Sequence, residues 1–504
     1  MRVLLLGPPW GDIYGDFKHV AKVGVYYPPL GLCYIAATLK NGGHESLVVD
    51  CEAEGKNLDA VIELVKEYKP DLIGIQVVSP LWDVVLEICR AVKEHCPTPI
   101  LLGGPHVSIT KGESFEQNPY FDYAIHGEGE FTTLALADAL ENGTDLKDVN
   151  GLIFKDGDEI WEGIPRVMPN DLDEYVMPDR GDLPMERYLF SVPGRGNQQF
   201  ATITSTRGCP FECTFCTEPM MFGRKTRFRT PENVVDEMEE ALTKHGVTHF
   251  IFVDDTLTVE KSRVYEMCRL IKERNLNVTM EGWTHANTIT EELLQTMKDA
   301  GFRRLSFGIE SGDPEILATL KKGTNHEKIR AAYKAAKKAG IETRGSIILG
   351  LPGDTRESVE RTIKFVTELK EIDHCYFNIA MPYPGTEIRD IALKGEKGVT
   401  LLSEDYSILK RQGQSVVMEV NDLKTEDLLQ LQRYAYRSFW LTPRRIFYNL
   451  YRAGFKAGLQ NSWAFFKSFI LPPKKKNRGK MTFLSDITAI PDHADAVGPP
   501  RQAS

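Results

Sequence analysis

Apolar residues fall first into short continuous runs at 3–6, 47–49, 72–77, 100–102 and 123–125. Between them lie stretches such as 59–69 and 82–95, where apolar positions recur at helical spacing. Continuous rather than alternating runs mean strands covered on both faces, and strands separated by helices pair in parallel. The pattern predicts an α/β protein opening with a Rossmann-like, doubly wound domain over residues 1–145. The first run is too short for a signal peptide and breaks on Pro8-Pro9, so it reads as a buried strand. Over 146–195 the periodicity weakens, with a hairpin expected at Lys155-Asp156-Gly157-Asp158 followed by Pro165, Pro169, Pro178 and Pro184, which suggests a strap between domains. Strand and helix alternate again, six times, over 196–400, with strands near 201–205, 248–253, 277–283, 304–309, 345–349 and 375–380. Six units fall short of a closed eight-stranded barrel. Beyond 400 the β pattern fades, and helices over 424–440 and 444–469 make a helical C-terminal region, 401–480. A disordered tail, 481–504, is expected to follow.

Composition narrows the class. With 504 residues, 42% of them hydrophobic, the chain can build several cores. A net charge of −10 argues against nucleic acid as a partner. No run of about 18 apolar residues suggests a membrane span. Cys33, Cys51, Cys89, Cys96, Cys268 and Cys375 are scattered through apolar contexts, as reduced core thiols of a cytoplasmic protein are. Segment 441–480 reverses the overall charge: it holds ten Lys or Arg, no Asp or Glu, and eight aromatics. Two readings fit it. One is an interfacial helix giving peripheral contact with anionic membranes; the other is an amphipathic helix packed on the barrel with a basic outer face.

The densest chemistry lies in Arg-Gly-Cys-Pro-Phe-Glu-Cys-Thr-Phe-Cys, residues 207–216. Cys209, Cys213 and Cys216 offer three thiolates to an iron–sulfur cube and leave its fourth iron open. A structural zinc knuckle is the alternative. It wants a fourth nearby Cys or His, and the next is His245. The spacing, with Phe215 before the last cysteine, resembles the signature of the radical S-adenosylmethionine enzymes. That resemblance implies a [4Fe-4S] cluster in the loop after the first strand of a partial (β/α)6 barrel. It also implies S-adenosylmethionine on the open iron, its reductive cleavage to a 5′-deoxyadenosyl radical, and an external one-electron reductant of flavodoxin or ferredoxin type. Phe215 would then contact adenine, Glu310 would bond the ribose hydroxyls, and Gly350 would let backbone approach the nucleoside. For Glu310 the alternative is a helix-start residue. Asp254 and Asp255 would orient substrate or cap the next helix.

The glycine- and proline-rich turns of the first domain fall beyond strand ends, where ligands of such sheets sit. No G-x-G-x-x-G follows the first strand, so a dinucleotide is not expected. Tyr27-Pro28-Pro29-Leu30-Gly31-Leu32, Gly103-Gly104-Pro105-His106 and Gly127-Glu128-Gly129-Glu130, in that order, resemble the cobalamin-binding domain that precedes the barrel in one large subfamily of these enzymes. By that resemblance Pro28, Pro29, Ser79, Gly103, Gly104 and Glu128 would bind cobalamin. The Asp-x-His-x-x-Gly that brings a histidine to cobalt in many cobalamin proteins is absent, since Asp16, His19 and Gly24 have other spacings. No histidine on cobalt is therefore expected, and His19 and His106 read as a loop and a helix-start residue. The resemblance spans roughly residues 1–440. It implies methylation of an unactivated carbon of a small-molecule or lipid substrate through methylcobalamin. The alternatives are a non-methylating reaction such as anaerobic oxidative ring closure on a tetrapyrrole, or a non-catalytic corrinoid- or metal-binding protein.

Overall fold

The computed structural model describes residues 1–10, 27–116, 118–192, 195–404 and 416–446. His19 and residues 447–504 lie outside that set, so the expectations for His19, for the basic-aromatic segment beyond 446 and for the tail fall outside the described residues.

The first sheet runs in the order β2-β1-β3-β4-β5-β6-β7. Its strands are β1 (Arg2–Gly7), β2 (Glu45–Asp50), β3 (Leu72–Gln76), β4 (Ile100–Gly103), β5 (Tyr123–Ile125), β6 (Leu152–Asp156) and β7 (Glu159–Glu162). The first five pair in parallel. The order 2-1-3-4-5 reverses direction at β1, so the connections on either side of β1 and β3 diverge and open a crevice beyond the strand ends. Val3, Leu4, Leu5 and Leu6 are all buried, as a strand covered on both faces requires.

The expected hairpin forms, but not within a free strap. Strand β6 extends the first sheet antiparallel to β5 and β7 pairs antiparallel to β6, while β8 (Leu189–Val192) begins the second sheet, antiparallel to β9 (Gly196–Ile203). Residues 146–195 are thus divided between the two sheets. Antiparallel edge pairing needs only that a short strand reach an open ladder, a long-range event that weak local periodicity does not record.

A two-stranded ladder of β10 (Thr206–Arg207) and β11 (Arg227–Phe228) comes next. The second sheet is completed by β12 (His249–Phe252), β13 (Thr279–Thr284), β14 (Phe302–Glu310), β15 (Glu342–Leu349) and β16 (His374–Ile379). From β9 to β16 all neighbours are parallel and follow chain order, and the ends at β8 and β16 remain unpaired with each other. This is the open six-unit barrel expected from the sequence. Its helices begin where the chain supplies caps: Thr230 before Pro231, Thr290, Asn325 and Thr355 each accept a bond from a first-turn N–H.

The helix Thr425–Trp440 closes the far edge. Gln432 Nε2 donates to the Phe377 carbonyl at 2.8 Å, and the Phe377 N–H donates to Tyr436 Oη at 3.2 Å. Just beyond it, Arg445 is not part of a basic outer face: its Nη1 donates to the Phe439 carbonyl at 3.1 Å and its guanidinium lies 3.7 Å over the Phe439 ring. Burial pushes it down to about 10. Among the described residues no helix is long and apolar enough to cross a membrane.

Candidate active site

A cavity of about 1210 Å³ lies where the C-terminal ends of the two sheets face each other. The first domain contributes Gly7, Pro8, Asp50, Gln76 and Val78, the ends of β1, β2 and β3 at the reversal of strand order. Pro28 and Pro29, at the start of the helix Leu30–Asn41, line the same wall. Cys209, Cys213, Phe215, Cys216 and Glu310 face them from the barrel. Of the residues named from sequence, Pro28 and Pro29 thus meet the three cysteines, Phe215 and Glu310 although about 180 positions separate them, because the sheets meet at their strand ends.

The cysteine loop is tied down on every side. Gly208 has φ +91°, and a Cβ there would sit 2.6 Å from the Lys225 carbonyl, so only glycine fits. The Thr214 N–H donates to Leu320 O at 3.2 Å, and the Thr214 carbonyl accepts from Ile388 N at 3.1 Å. Asp254, fully buried at the end of β12, accepts from Ser205 N (2.6 Å), Thr206 N (2.8 Å), Ser205 Oγ (2.7 Å) and Thr204 Oγ1 (3.1 Å). Asp254 therefore neither orients substrate nor caps a helix. It fixes the chain entering the loop, and Glu260 caps the next helix, Lys261–Glu273.

Cys209 Sγ lies 3.7 Å from Thr256 Oγ1. Burial pushes the Cys209 thiol up, Cys213 up to about 11 and Cys216 up to about 12, which a cationic iron centre would reverse. Among the described residues no three His, Cys, Asp or Glu side chains converge as the ligands of a single ion would. All three thiols line the cavity, a donor set of three sulfurs. That is the set a cube with one open iron takes.

Glu310 ends β14 with φ +64°, at a point where the pairing with β15 shifts register between Gly308 and Glu310. Left-handed backbone at a non-glycine residue costs roughly 1–3 kcal/mol and collects at functional sites. Its Oε1 accepts from Lys322 Nζ at 2.5 Å, and a side chain at Gly308 would collide with both groups. The helix-start alternative fails, because Asp313 caps the helix Pro314–Thr319 through the N–H groups of Glu315 and Ile316. Nearby, His285 stacks on Phe211 with ring centres 4.0 Å apart, and burial pushes its imidazole down to about 4. Burial, with Glu218 and Asp254 close by, pushes Asp255 up to about 8. Asp255 and Glu218 both face the cavity.

Other sequence candidates lie away from this wall. Gly350 has φ +78°, and a Cβ there would meet Leu428 at 2.9 Å, so its glycine serves packing of the C-terminal helix. Ser79 Oγ lies 3.1 Å from His106 Nδ1 inside the first domain, where Trp82 packs on His106 and burial pushes the imidazole down to about 4. Gly104 has φ +108° and passes 2.7 Å, at its Cβ position, from the Val77 carbonyl. Gly103 leaves open space at its Cβ position, as do Gly31 and Gly127. Glu128 is buried between the domains, bonded by Tyr175 Oη at 2.7 Å and paired with Arg207 and Arg227.

Trp283, Lys322, Arg344 and Tyr376 also line the cavity. Trp283 was visible as a strand-end residue, but the others carry no motif. Arg344 and Tyr376 sit within strands where facing the cavity is a matter of register alone.

Comparison with known proteins gives two family matches: radical SAM superfamily over residues 203–366, and B12 binding domain over 18–137. An uncharacterized methyltransferase of Pyrococcus horikoshii is 34% identical over 448 residues, 88% of this chain and 93% of that protein. The anaerobic magnesium-protoporphyrin IX monomethyl ester cyclase of Rubrivivax gelatinosus is 29% identical, covering 88% and 78%. The radical S-adenosylmethionine methyltransferase TsrM of Kitasatospora setae, solved with its tryptophan substrate and an S-adenosylmethionine analogue, shares the fold with a TM-score of 0.69 at 19% identity, covering 88% and 90%.

Proposed function

The chain belongs to the cobalamin-binding radical S-adenosylmethionine enzymes, and from that premise we propose that it methylates an unactivated carbon of a small-molecule or lipid substrate. One observation carries the reading: the three-thiol loop and the switch-point rim of the first sheet open onto a single cavity. When bound, the [4Fe-4S] cluster supplies the electron that cleaves S-adenosylmethionine, and cobalamin supplies methyl-group transfer.

The protein's part is to hold and orient. Cys209, Cys213 and Cys216 would hold the cluster through their thiolates. Glu310 offers two acceptor oxygens to the vicinal ribose hydroxyls, held in place by Lys322, while Phe215 flanks the adenine. Pro28, Pro29 and the ends of β1 and β3 would form the seat for the corrin, and the open space beside Gly31 would let a broad, flat ligand approach the backbone. Trp283, Phe211 and Tyr376 give the cavity an aromatic wall. Nine free cysteines fit a reducing, cytoplasmic setting, where a flavodoxin- or ferredoxin-like protein would deliver electrons.

The test is anaerobic incubation of reconstituted protein with cell extract and S-adenosylmethionine carrying a deuterated methyl group. The expected result is a product that has gained one labelled methyl in place of a hydrogen, formed together with 5′-deoxyadenosine, and abolished when the three cysteines are replaced by Ala. The likeness to the anaerobic cyclase supports a second reading, oxidative ring closure. An unlabelled product that has only lost hydrogen would favour it. Fully loaded protein that cleaves no S-adenosylmethionine would overturn both and leave a binding protein.

A further inference from the structure

The cavity is deeper than the strand ends need. The side chains of Arg344 and Tyr376 line it from within β15 and β16. In the parallel register Glu310 stands opposite Ile347, so Arg344 lies three residues, about 10 Å, below the level of Glu310. In a filled barrel this depth is core; here it is open, walled by Phe190, Trp283 and Tyr376. Tyr376 keeps 42% of its surface exposed although it stands in a strand of the second sheet.

The electrostatics of this floor are uneven. Arg304 is fully engaged, donating to Glu281 Oε2 at 2.7 Å and to Glu342 Oε1 at 3.0 Å, and Glu342 is shared with His374 at 2.6 Å. Among the described residues Arg344 has a single loose ion pair, its Nη1 lying 3.6 Å from Glu281 Oε1. Its buried Nε lacks a hydrogen-bond partner, as does Glu281 Oε1. Among the described residues the other cation on the wall, Lys322, is bound to Glu310. Beside Arg344 on the same faces stand Ser346 and Asn378, joined by a 3.2 Å hydrogen bond, and the guanidinium lies 5.7 Å from the centre of the Tyr376 ring.

We propose that Arg344 anchors the oxyanion of an elongated substrate, a carboxylic or phosphonic acid with an apolar body, whose reacting carbon lies about 10 Å from the acid group. A guanidinium offers a planar fork matched to either acid, and a charge-assisted bidentate pair is stronger than a neutral hydrogen bond. The aromatic wall covers the body of the molecule, and its length carries the target carbon up to the level of Glu310. The proposal rests on the reading of the cavity as an active site.

The experiment is anaerobic titration calorimetry of the full-length, cofactor-loaded protein with 4-phenylbutyrate, 3-phenylpropylphosphonate and the neutral 4-phenylbutanamide. Wild-type protein is expected to prefer at least one of the acids over the amide by tenfold or more. Arg344→Gln should erase the preference. Preference for the phosphonate alone would assign a phosphonate head, and preference for the butyrate a carboxylate. Equal binding of acids and amide by wild type, or a preference that survives Arg344→Gln, overturns the proposal. Should Arg344→Gln fail to fold by circular dichroism, Arg344→Lys carries the test. Loss of the fork must then cut the preference at least threefold, and an unchanged preference is equally fatal. Iron and cobalamin content are measured in the same preparations: wild type that cannot be loaded contradicts the enzyme reading, whereas normal loading without acid preference contradicts this inference alone.

Discussion

Glu310 is held at φ +64° by a register shift in its own strand, by Lys322 and by the space that Gly308 leaves. If the role of that arrangement is to bind the ribose, Glu310→Gln removes one charge-assisted acceptor, worth about 1.5–3 kcal/mol. S-adenosylmethionine affinity by equilibrium dialysis should then fall about ten- to hundredfold. Iron content should stay normal, since Glu310 is not a ligand. Unchanged affinity would reduce the residue to a partner of Lys322. The carboxylate was legible in the sequence because it stands in a motif at a strand end. Lys322, twelve residues on, was not, for its contact with Glu310 depends on how the helix Pro314–Thr319 returns the chain. Glu128 shows the converse. Its motif was visible, but its buried pairs with Arg207 and Arg227 join positions 79 and 99 residues apart, which no local pattern encodes.

Between residue and domain, the cysteine loop owes its shape to its neighbours more than to itself. Asp254 closes four hydrogen bonds on residues 204–206, just before Cys209, and burial holds its carboxyl above the ordinary range despite them. Asp254→Ala leaves two buried backbone N–H groups without their acceptor, at about 1–3 kcal/mol each. The reconstituted variant should carry less than half the wild-type iron although all three thiols remain; iron by colorimetric assay and thiol count by titration separate the two. Full iron in the variant would show that the loop needs no such support. At this scale the buried strands and capped helices were readable, because continuous apolar runs and cap residues are local signals. The partners of β6, β7 and β8 were not, because edge pairing is decided at long range.

At the scale of the molecule, two sheets are fastened so that their C-terminal ends share one space. Tyr188 Oη donates to Asp50 at 2.8 Å, Thr202 Oγ1 donates to the Pro28 carbonyl at 3.3 Å, and Arg207 Nη2 donates to Glu130 at 2.6 Å. Each of these bonds crosses from barrel or strap to the first domain. Sequence periodicity gave both sheets but could not say that they meet, since the fastening groups are single polar side chains far apart in the chain. The meeting is what allows one enzyme to use an iron–sulfur cube and a corrin on one substrate. Electron paramagnetic resonance of protein loaded with both groups tests it most directly. With the cluster reduced to its paramagnetic state, the cob(II)alamin signal should relax measurably faster than in the Cys209, Cys213 and Cys216 to Ala variant loaded with cobalamin alone. Identical relaxation in the two samples, at full loading of both cofactors in the wild type, would mean that the two sites do not share a cavity.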